Sequence, residues 1–131
     1  MNAASKWLVL AREDLEVAGI TLREAIFNQT CFHAQQAAEK ALKGFLAAND
    51  RAVPKTHVLG QLAVECTTIE SDFQTLKADW LRLDRYYIPT RYPDALPGSL
   101  PEGLPDAKDA ELALDAARRI FDFVAGKLGQ E

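Results

Sequence analysis

Apolar residues recur every three or four positions through most of the chain, which is the spacing of amphipathic α-helices. Over roughly residues 4–26 they form one broad stripe, with charged residues on the other side. Asn28 and Gln29 interrupt this pattern, and Thr30 is a candidate N-cap for a second helix. That helix is rich in alanine, a strong helix former, and is expected to continue to about Ala48.

Two shorter helices are expected next. Pro54 forbids helix continuation, so residues 51–55 are predicted to form a loop. A third helix begins near His57, with Thr56 as its candidate cap. A fourth helix covers roughly residues 73–87, where large apolar side chains again lie three or four positions apart.

Residues 88–105 are expected to be irregular, because they carry five of the six prolines of the chain. A connection of this length inside a compact domain is often functional. Asp106 is a good N-cap for the last helix. No segment shows the period-two alternation of a strand. The prediction is therefore one all-α domain over residues 1–131, an up-and-down antiparallel bundle of four to five helices.

The formal net charge of −4 argues against binding long nucleic acids through bulk electrostatics. Residues 40–91 are nevertheless mildly basic. The two cysteines, Cys31 and Cys66, belong to no metal-ligand or CxxC pattern and are expected to be reduced, buried thiols. The chain opens without a signal-peptide pattern and has no run of 18 apolar residues, so a cytoplasmic protein without a membrane partner is expected.

The second helix carries a set of polar residues that are candidates for chemistry: Gln35, Gln36, Glu39, Lys40 and Lys43. Gln35, Glu39 and Lys43 are spaced at i, i+4 and i+8 and so share one face, while Gln36 and Lys40 form a neighbouring row. One interpretation is a solvated face with a Glu39–Lys43 ion pair that stabilises the helix by about 0.2–0.5 kcal/mol. The other is a polar patch that lines a groove or a dimer seam.

A second set contains all three tyrosines of the chain, one arginine and one aspartate: Tyr86, Tyr87, Arg91, Tyr92 and Asp94. The guanidinium of Arg91 suits phosphate, and tyrosine rings can stack on nucleobases. Alternatively this is a structural loop, in which Arg91 pairs with Asp94 or Glu39 and the tyrosines pack on the bundle end.

Histidine supplies a third candidate. His57 is expected at a helix N-terminus, which disfavours its charged form, so a neutral imidazole could act as a base there. The alternative is a local hydrogen bond, and His33 is expected to be structural. No phosphate loop or metal-ligand spacing is present in the sequence, so no metal and no cofactor are expected.

Four stretches resemble the HEPN family, in its small stand-alone prokaryotic form. They are residues 7–15 (WLVLAREDL), 31–43 (CFHAQQAAEKALK), 56–59 (THVL) and 87–94 (YIPTRYPD). They occur in the family's order, and with the closing helix the resemblance covers nearly the whole chain.

The resemblance implies a helical bundle that forms homodimers. It also implies a minimal nucleotidyltransferase as a possible partner, in a toxin–antitoxin type of pair. Many catalytic members of the family are metal-independent ribonucleases. Their site uses an arginine and a histidine, separated by four to six residues, that meet across the dimer interface.

This chain departs from that catalytic pattern, because no histidine follows Arg91. Arg51 and His57 match the spacing, but they lie earlier in the chain than the family's pair. Tyr92 and Asp94 are the remaining candidates to act beside Arg91. A tyrosine with a reference pKa of about 10 is a poor base at neutral pH.

The function expected from the sequence is therefore a non-cleaving or weakly active component that binds a nucleotide or a partner in a nucleotidyltransferase–HEPN pair. The alternatives are a ribonuclease toxin that acts through Arg91 at a dimer interface, and a purely structural interaction module. The residues expected to bind nucleotide or phosphate are Gln36, Glu39, Lys40, Lys43, Tyr87 and Arg91.

Overall fold

The computed structural model describes residues 2–87 and 103–129. Within these ranges the chain is helical: α1 (Ala3–Arg23), α2 (Phe27–Ala48), α3 (Leu59–Ile69), a 3₁₀-helix (Ser71–Leu76), α4 (Lys77–Asp84) and α5 (Ala107–Lys127). No strand occurs in the described ranges. The predicted all-α fold is confirmed.

Helices α1 and α2 form an antiparallel hairpin. At its closed end the hydroxyl groups of Thr21 and Thr30 lie 2.9 Å apart. At its open end a Cβ atom on Gly44 would lie 3.1 Å from Cβ of Trp7, closer than side chains normally approach. Glycine at this position therefore lets the two helix backbones pack closely.

Helix α2 is the centre of the bundle and packs against α1, α3, α4 and α5. Its alanines at 34, 37, 38 and 41 are fully buried, so small side chains admit neighbouring helices on several sides. The aromatic core joins three elements, since the ring of Phe73 lies edge-to-face with those of Phe45 and Phe123, each at 4.7 Å. Full burial of such a side chain stabilises the fold by about 1.5–3 kcal/mol.

The predicted N-cap at Thr30 is wrong. Helix α2 begins at Phe27, and residues 28–29 continue the helix instead of interrupting it. The chain breaks earlier, at Ala25, which has a left-handed φ of 60°. Thr30 is buried, and its hydroxyl contacts that of Thr21 across the hairpin. Thr30, which the sequence suggested as an N-cap, therefore makes a contact between α1 and α2 instead.

The third helix starts at Leu59, so His57 lies in the loop before the helix and not at its N-terminus, where it was expected. The predicted cap at Thr56 is wrong, because Val58 is the N-cap; the Thr56 hydroxyl instead accepts a hydrogen bond from the Val58 amide at 3.1 Å, before the helix begins. The predicted fourth helix is divided: its first part is the 3₁₀-helix, and α4 ends at Asp84, so Tyr87 lies beyond it.

The predicted N-cap at Asp106 is confirmed. Its carboxylate accepts a hydrogen bond from the Asp109 amide at 2.8 Å, and the Asp109 carboxylate accepts one from the Asp106 amide at 3.1 Å. This reciprocal capping box starts α5.

Candidate functional site

The face of α2 that carries Gln35, Glu39 and Lys43 is buried, so the interpretation as a solvated face is wrong. Gln35, Glu39 and Lys43 are 1%, 4% and 6% exposed. The predicted ion pair is present, with Lys43 Nζ 3.0 Å from Glu39 Oε2. Lys43 Nζ also lies 5.7 Å from the ring centroid of Trp7. Burial removes both ions from water, so each depends on the other far more than a surface pair does.

The Glu39 carboxylate also binds His57. Both carboxylate oxygens lie within 3.1–3.2 Å of His57 Nδ1, across the loop that joins α2 to α3. The imidazole stacks on the ring of Tyr87, with centroids 5.5 Å apart and planes inclined by 20°. The His57 side chain remains 51% exposed. Glu39 therefore connects a buried ammonium group to an imidazole at the surface.

Gln35 fastens this loop to α2, and Gln36 supports the Gln35 amide. Gln35 Nε2 donates a hydrogen bond to the backbone carbonyl of His57 at 2.8 Å, and Gln35 Oε1 accepts one from Gln36 Nε2 at 2.7 Å. Because Gln35 is almost fully buried, its amide needs such partners. Gln36 is half-buried, and its Nε2 lies 3.5 Å from Glu39 Oε1.

Asp84 holds the start of α3 against the end of α4. Its two carboxylate oxygens accept hydrogen bonds from the amides of Leu59 at 2.7 Å and Gly60 at 3.0 Å. These amides belong to the first turn of α3 and have no partner inside the helix. The carboxylate also suits the positive end of the helix dipole. This clamp fixes the segment of His57 relative to that of Tyr87.

We define the dyad site as Gln36, Glu39, Lys43, His57 and Tyr87. Four of these residues were predicted to bind a nucleotide. In the structure Gln36, Lys43 and His57 contact Glu39, and Tyr87 stacks on His57. Lys40, the remaining residue of α2 that was predicted to bind a nucleotide, lies outside the dyad site.

Lys40 belongs to a separate polar cluster between α1 and α2. Its Nζ lies 2.6 Å from Asp14 Oδ2, and His33 Nδ1 lies 3.0 Å from Asp14 Oδ1. Asp14 is 8% exposed, so the two partners satisfy a nearly buried carboxylate. His33 thus has the structural contact expected of it, whereas ligand binding by Lys40 stays a prediction.

The tyrosines separate into different environments. Tyr86 is buried in the core, where burial raises its pKa to about 12, so its ring is not available to stack on a ligand. Tyr87 is half-buried against His57. The predicted site residues Arg91, Tyr92 and Asp94 lie outside the described residues.

The spacing match between Arg51 and His57 has no counterpart in a contact. Arg51 is exposed, and its amide donates to the carbonyl of Leu46 at the end of α2. In the described part of the chain no hydrogen bond or ion pair joins Arg51 to His57. The partner that orients His57 is Glu39, which no spacing motif had indicated.

Cys31 and Cys66 are both buried and free, as predicted. Burial raises the pKa of each thiol to about 12. Over residues 2–87 and 103–129, no helix is both long and apolar enough to cross a membrane. The same residues contain no group of three His, Cys, Asp or Glu side chains arranged to hold a metal ion.

Comparison with known proteins gives relatives that match over nearly the full chain. A curated protein of Methanocaldococcus jannaschii, named "Putative toxin MJ1304", is 27% identical over 96% of this chain and 91% of its own length. TT1696 from Thermus thermophilus, known from a crystal structure, is 39% identical with a TM-score of 0.78, covering 97% of this chain and 99% of its own.

Two further crystal structures share the fold. ST0689, described as an archaeal HEPN homologue, is 30% identical with a TM-score of 0.75, and covers 97% of this chain and 98% of its own. A HEPN domain protein of Thermotoga maritima has a TM-score of 0.76 at 24% identity, over 96% of this chain and 99% of its own. The HEPN domain model matches residues 4–128. This chain therefore belongs to the HEPN domain family.

Proposed function

We propose that this protein is a binding component of a nucleotidyltransferase–HEPN pair, which holds a nucleotide at the dyad site and does not cleave RNA efficiently by itself. The observation that carries the proposal is the buried Glu39–Lys43 pair beneath a half-exposed His57 that stacks on Tyr87. Buried charges are costly unless they are paired, and such groups concentrate at functional sites.

The chemistry of the dyad site favours a small ligand. Gln36, His57 and Tyr87 offer amide, imidazole and aromatic groups at the surface, which can hydrogen-bond and stack on a nucleotide. Lys43 neutralises Glu39, so a direct contact with phosphate requires that pair to open. The net charge of −4 disfavours long RNA as the principal ligand.

The family supports the partner in this proposal. A toxin name on a relative that matches 96% of this chain is consistent with a toxin–antitoxin type of pair. A minimal nucleotidyltransferase is the partner protein that we propose, and the HEPN protein itself is expected to be a homodimer. Mass measurement in solution at micromolar concentration tests the dimer, and a monomeric mass would contradict it.

Calorimetric titration of the purified protein with ribonucleoside mono- and triphosphates tests nucleotide binding. Tyr87→Ala is expected to weaken binding about tenfold, because it removes the aromatic face that supports His57. Lys77→Ala is the matched control, since Lys77 is exposed at the opposite end of α4. If no nucleotide binds and the purified nucleotidyltransferase does not bind either, the proposal is wrong.

A second candidate function is a metal-independent ribonuclease toxin. One observation favours it: a buried carboxylate orients His57, and an oriented imidazole is a suitable general base. A ribonuclease assay compares wild type, His57→Phe and Arg91→Ala, with the oligomeric state checked in each sample. Cleavage that both substitutions abolish, in folded protein, would replace the binding proposal with this one.

The third candidate is a structural interaction module. It predicts that Arg91→Ala lowers the free energy of unfolding and leaves every binding measurement unchanged. Loss of nucleotide or partner binding in a stably folded Arg91→Ala protein would contradict it.

A further inference from the structure

We infer that His57 Nε2 is a fixed hydrogen-bond acceptor, and that it recognises a ribose hydroxyl group of the ligand. The inference rests on the proposed function, since it assumes that a nucleotide occupies the dyad site. It adds the part of the nucleotide that is recognised and therefore predicts weaker binding when one ribose hydroxyl group, at the 2′ or the 3′ position, is removed.

The first step is the tautomer of His57. A neutral imidazole carries its proton on one ring nitrogen and a lone pair on the other. An ionised carboxylate can only accept hydrogen bonds, and both oxygens of Glu39 lie within 3.1–3.2 Å of Nδ1. Nδ1 therefore carries the proton, and Nε2 is left as the acceptor.

The buried ammonium group of Lys43 stabilises the negative charge of Glu39. Lys43 Nζ lies 3.0 Å from Glu39 Oε2, and their side chains are 8% and 5% exposed. A protonated, neutral Glu39 would leave the Lys43 ammonium group buried without a counter-ion, which is costly. Lys43 thus keeps Glu39 ionised, and Glu39 in turn fixes the tautomer of His57.

The position of the ring is fixed as well. Gln35 holds the backbone carbonyl of His57 at 2.8 Å, and the ring of Tyr87 stacks on the imidazole. The side chain is nevertheless 51% exposed, and no described residue hydrogen-bonds to Nε2. A rigid acceptor at the surface is ready to bind a donor without further ordering.

Among the chemical groups of a nucleotide, a ribose hydroxyl group is the best partner for the acceptor Nε2 of His57. Phosphate oxygens carry lone pairs and no proton at neutral pH, so they repel the lone pair of Nε2. Base amino groups are donors, but they differ among the four bases. Ribose hydroxyl groups are donors that all ribonucleotides share, and a 2′-hydroxyl is absent from deoxyribonucleotides.

The test compares matched ribonucleotides, 2′-deoxynucleotides and 3′-deoxynucleotides by calorimetry at about pH 8, above the reference imidazole pKa of about 6.5. The wild type is expected to bind the ribonucleotide about three- to tenfold more tightly than one of the two deoxy forms, the range for one hydrogen bond. His57→Phe keeps a ring to stack on Tyr87 but has no acceptor. It is expected to bind all three forms with the affinity of the weaker deoxy form.

A positioning role for Glu39 predicts a separate result. Glu39→Gln combined with Lys43→Met removes the fixed tautomer without leaving a buried unpaired charge, and it is expected to reduce the ribose preference. Long-range ¹H–¹⁵N correlation spectra of the free wild-type protein should show His57 protonated at Nδ1. A spectrum with the proton at Nε2 would overturn the inference even if no nucleotide is found to bind.

The outcomes separate the two proposals. Equal binding of the ribose and both deoxy forms, or a preference that His57→Phe retains, overturns the inference and leaves the proposed function intact. Affinity that depends on the base alone also overturns it. Failure of every nucleotide to bind refutes nucleotide binding itself and removes the ligand on which the inference rests.

Discussion

Replacing Glu39 by glutamine should destabilise this protein strongly, although the two side chains have nearly the same shape. Lys43, which is only 6% exposed, would keep its charge and lose its counter-ion. Removal of one partner from a buried ion pair costs about 3–5 kcal/mol. Because the lysine side chain can extend toward solvent, we expect the lower end of that range, about 3 kcal/mol.

The double variant, Glu39→Gln with Lys43→Met, tests whether the unpaired charge of Lys43 causes this destabilisation. Methionine has about the length of the lysine stem and no charge, so the unpaired ammonium group disappears. Replacing both members of a buried pair is often neutral or stabilising. The double variant should therefore recover most of the loss, with a coupling energy of about 2 kcal/mol between the two positions.

Urea unfolding followed by circular dichroism measures these differences. With a slope of about 2 kcal/mol per molar urea, a loss of about 3 kcal/mol moves the midpoint by about 1.5 M. Glu16→Gln on the exposed face of α1 is the control and should stay within about 0.5 kcal/mol of wild type. A Glu39→Gln midpoint equal to that of the control, or a double variant as unstable as the single one, would refute the reasoning.

Three further predictions follow from single features of the structure. Asp84→Ala should lower the free energy of unfolding by about 1 kcal/mol in urea titrations, because two α3 amides lose their acceptor. Cys31 and Cys66 should resist a thiol reagent at mildly alkaline pH until the protein unfolds. Since burial raises each thiol pKa from 9.0 to about 12, stability measured by urea titration should also fall as pH rises through this window. Hydrogen bonds from the capping box lower the pKa of the Asp106 carboxyl group. The contribution of this group to the free energy of unfolding is therefore present at neutral pH and is lost as pH falls through the lowered pKa. Asp106→Asn should reduce this acid dependence in melting curves.

Features decided by neighbouring residues were predictable from the sequence. The capping box at Asp106 needs only a partner three residues away, and the sequence placed the cap correctly. The end of α2 at Ala48 also agrees with the sequence prediction. Thr30 shows the limit of this reasoning: its hydroxyl suits a cap, but a contact with Thr21 on the neighbouring helix used it instead.

The candidate site was predictable only in part. The spacing of Glu39 and Lys43 predicted their ion pair, because residues four apart lie on one helix face. Burial of that pair was not predictable, since no sequence rule says that α2 would be covered by other elements on this polar side as well. Glu39 and His57 are 18 residues apart, on a helix and in a loop, and no periodicity joins them.

The sequence by itself determined the helical fold, a minority of the helix ends, the family and the residue types available for chemistry, because these depend on local spacing and on recognisable stretches. Only the tertiary structure decided that the polar row of α2 is buried and that Glu39 orients His57. It also decided that Lys40 belongs with Asp14, outside the dyad site. The physical reason is that burial and long-range pairing depend on how helices pack around α2, which the order of residues along one helix does not specify.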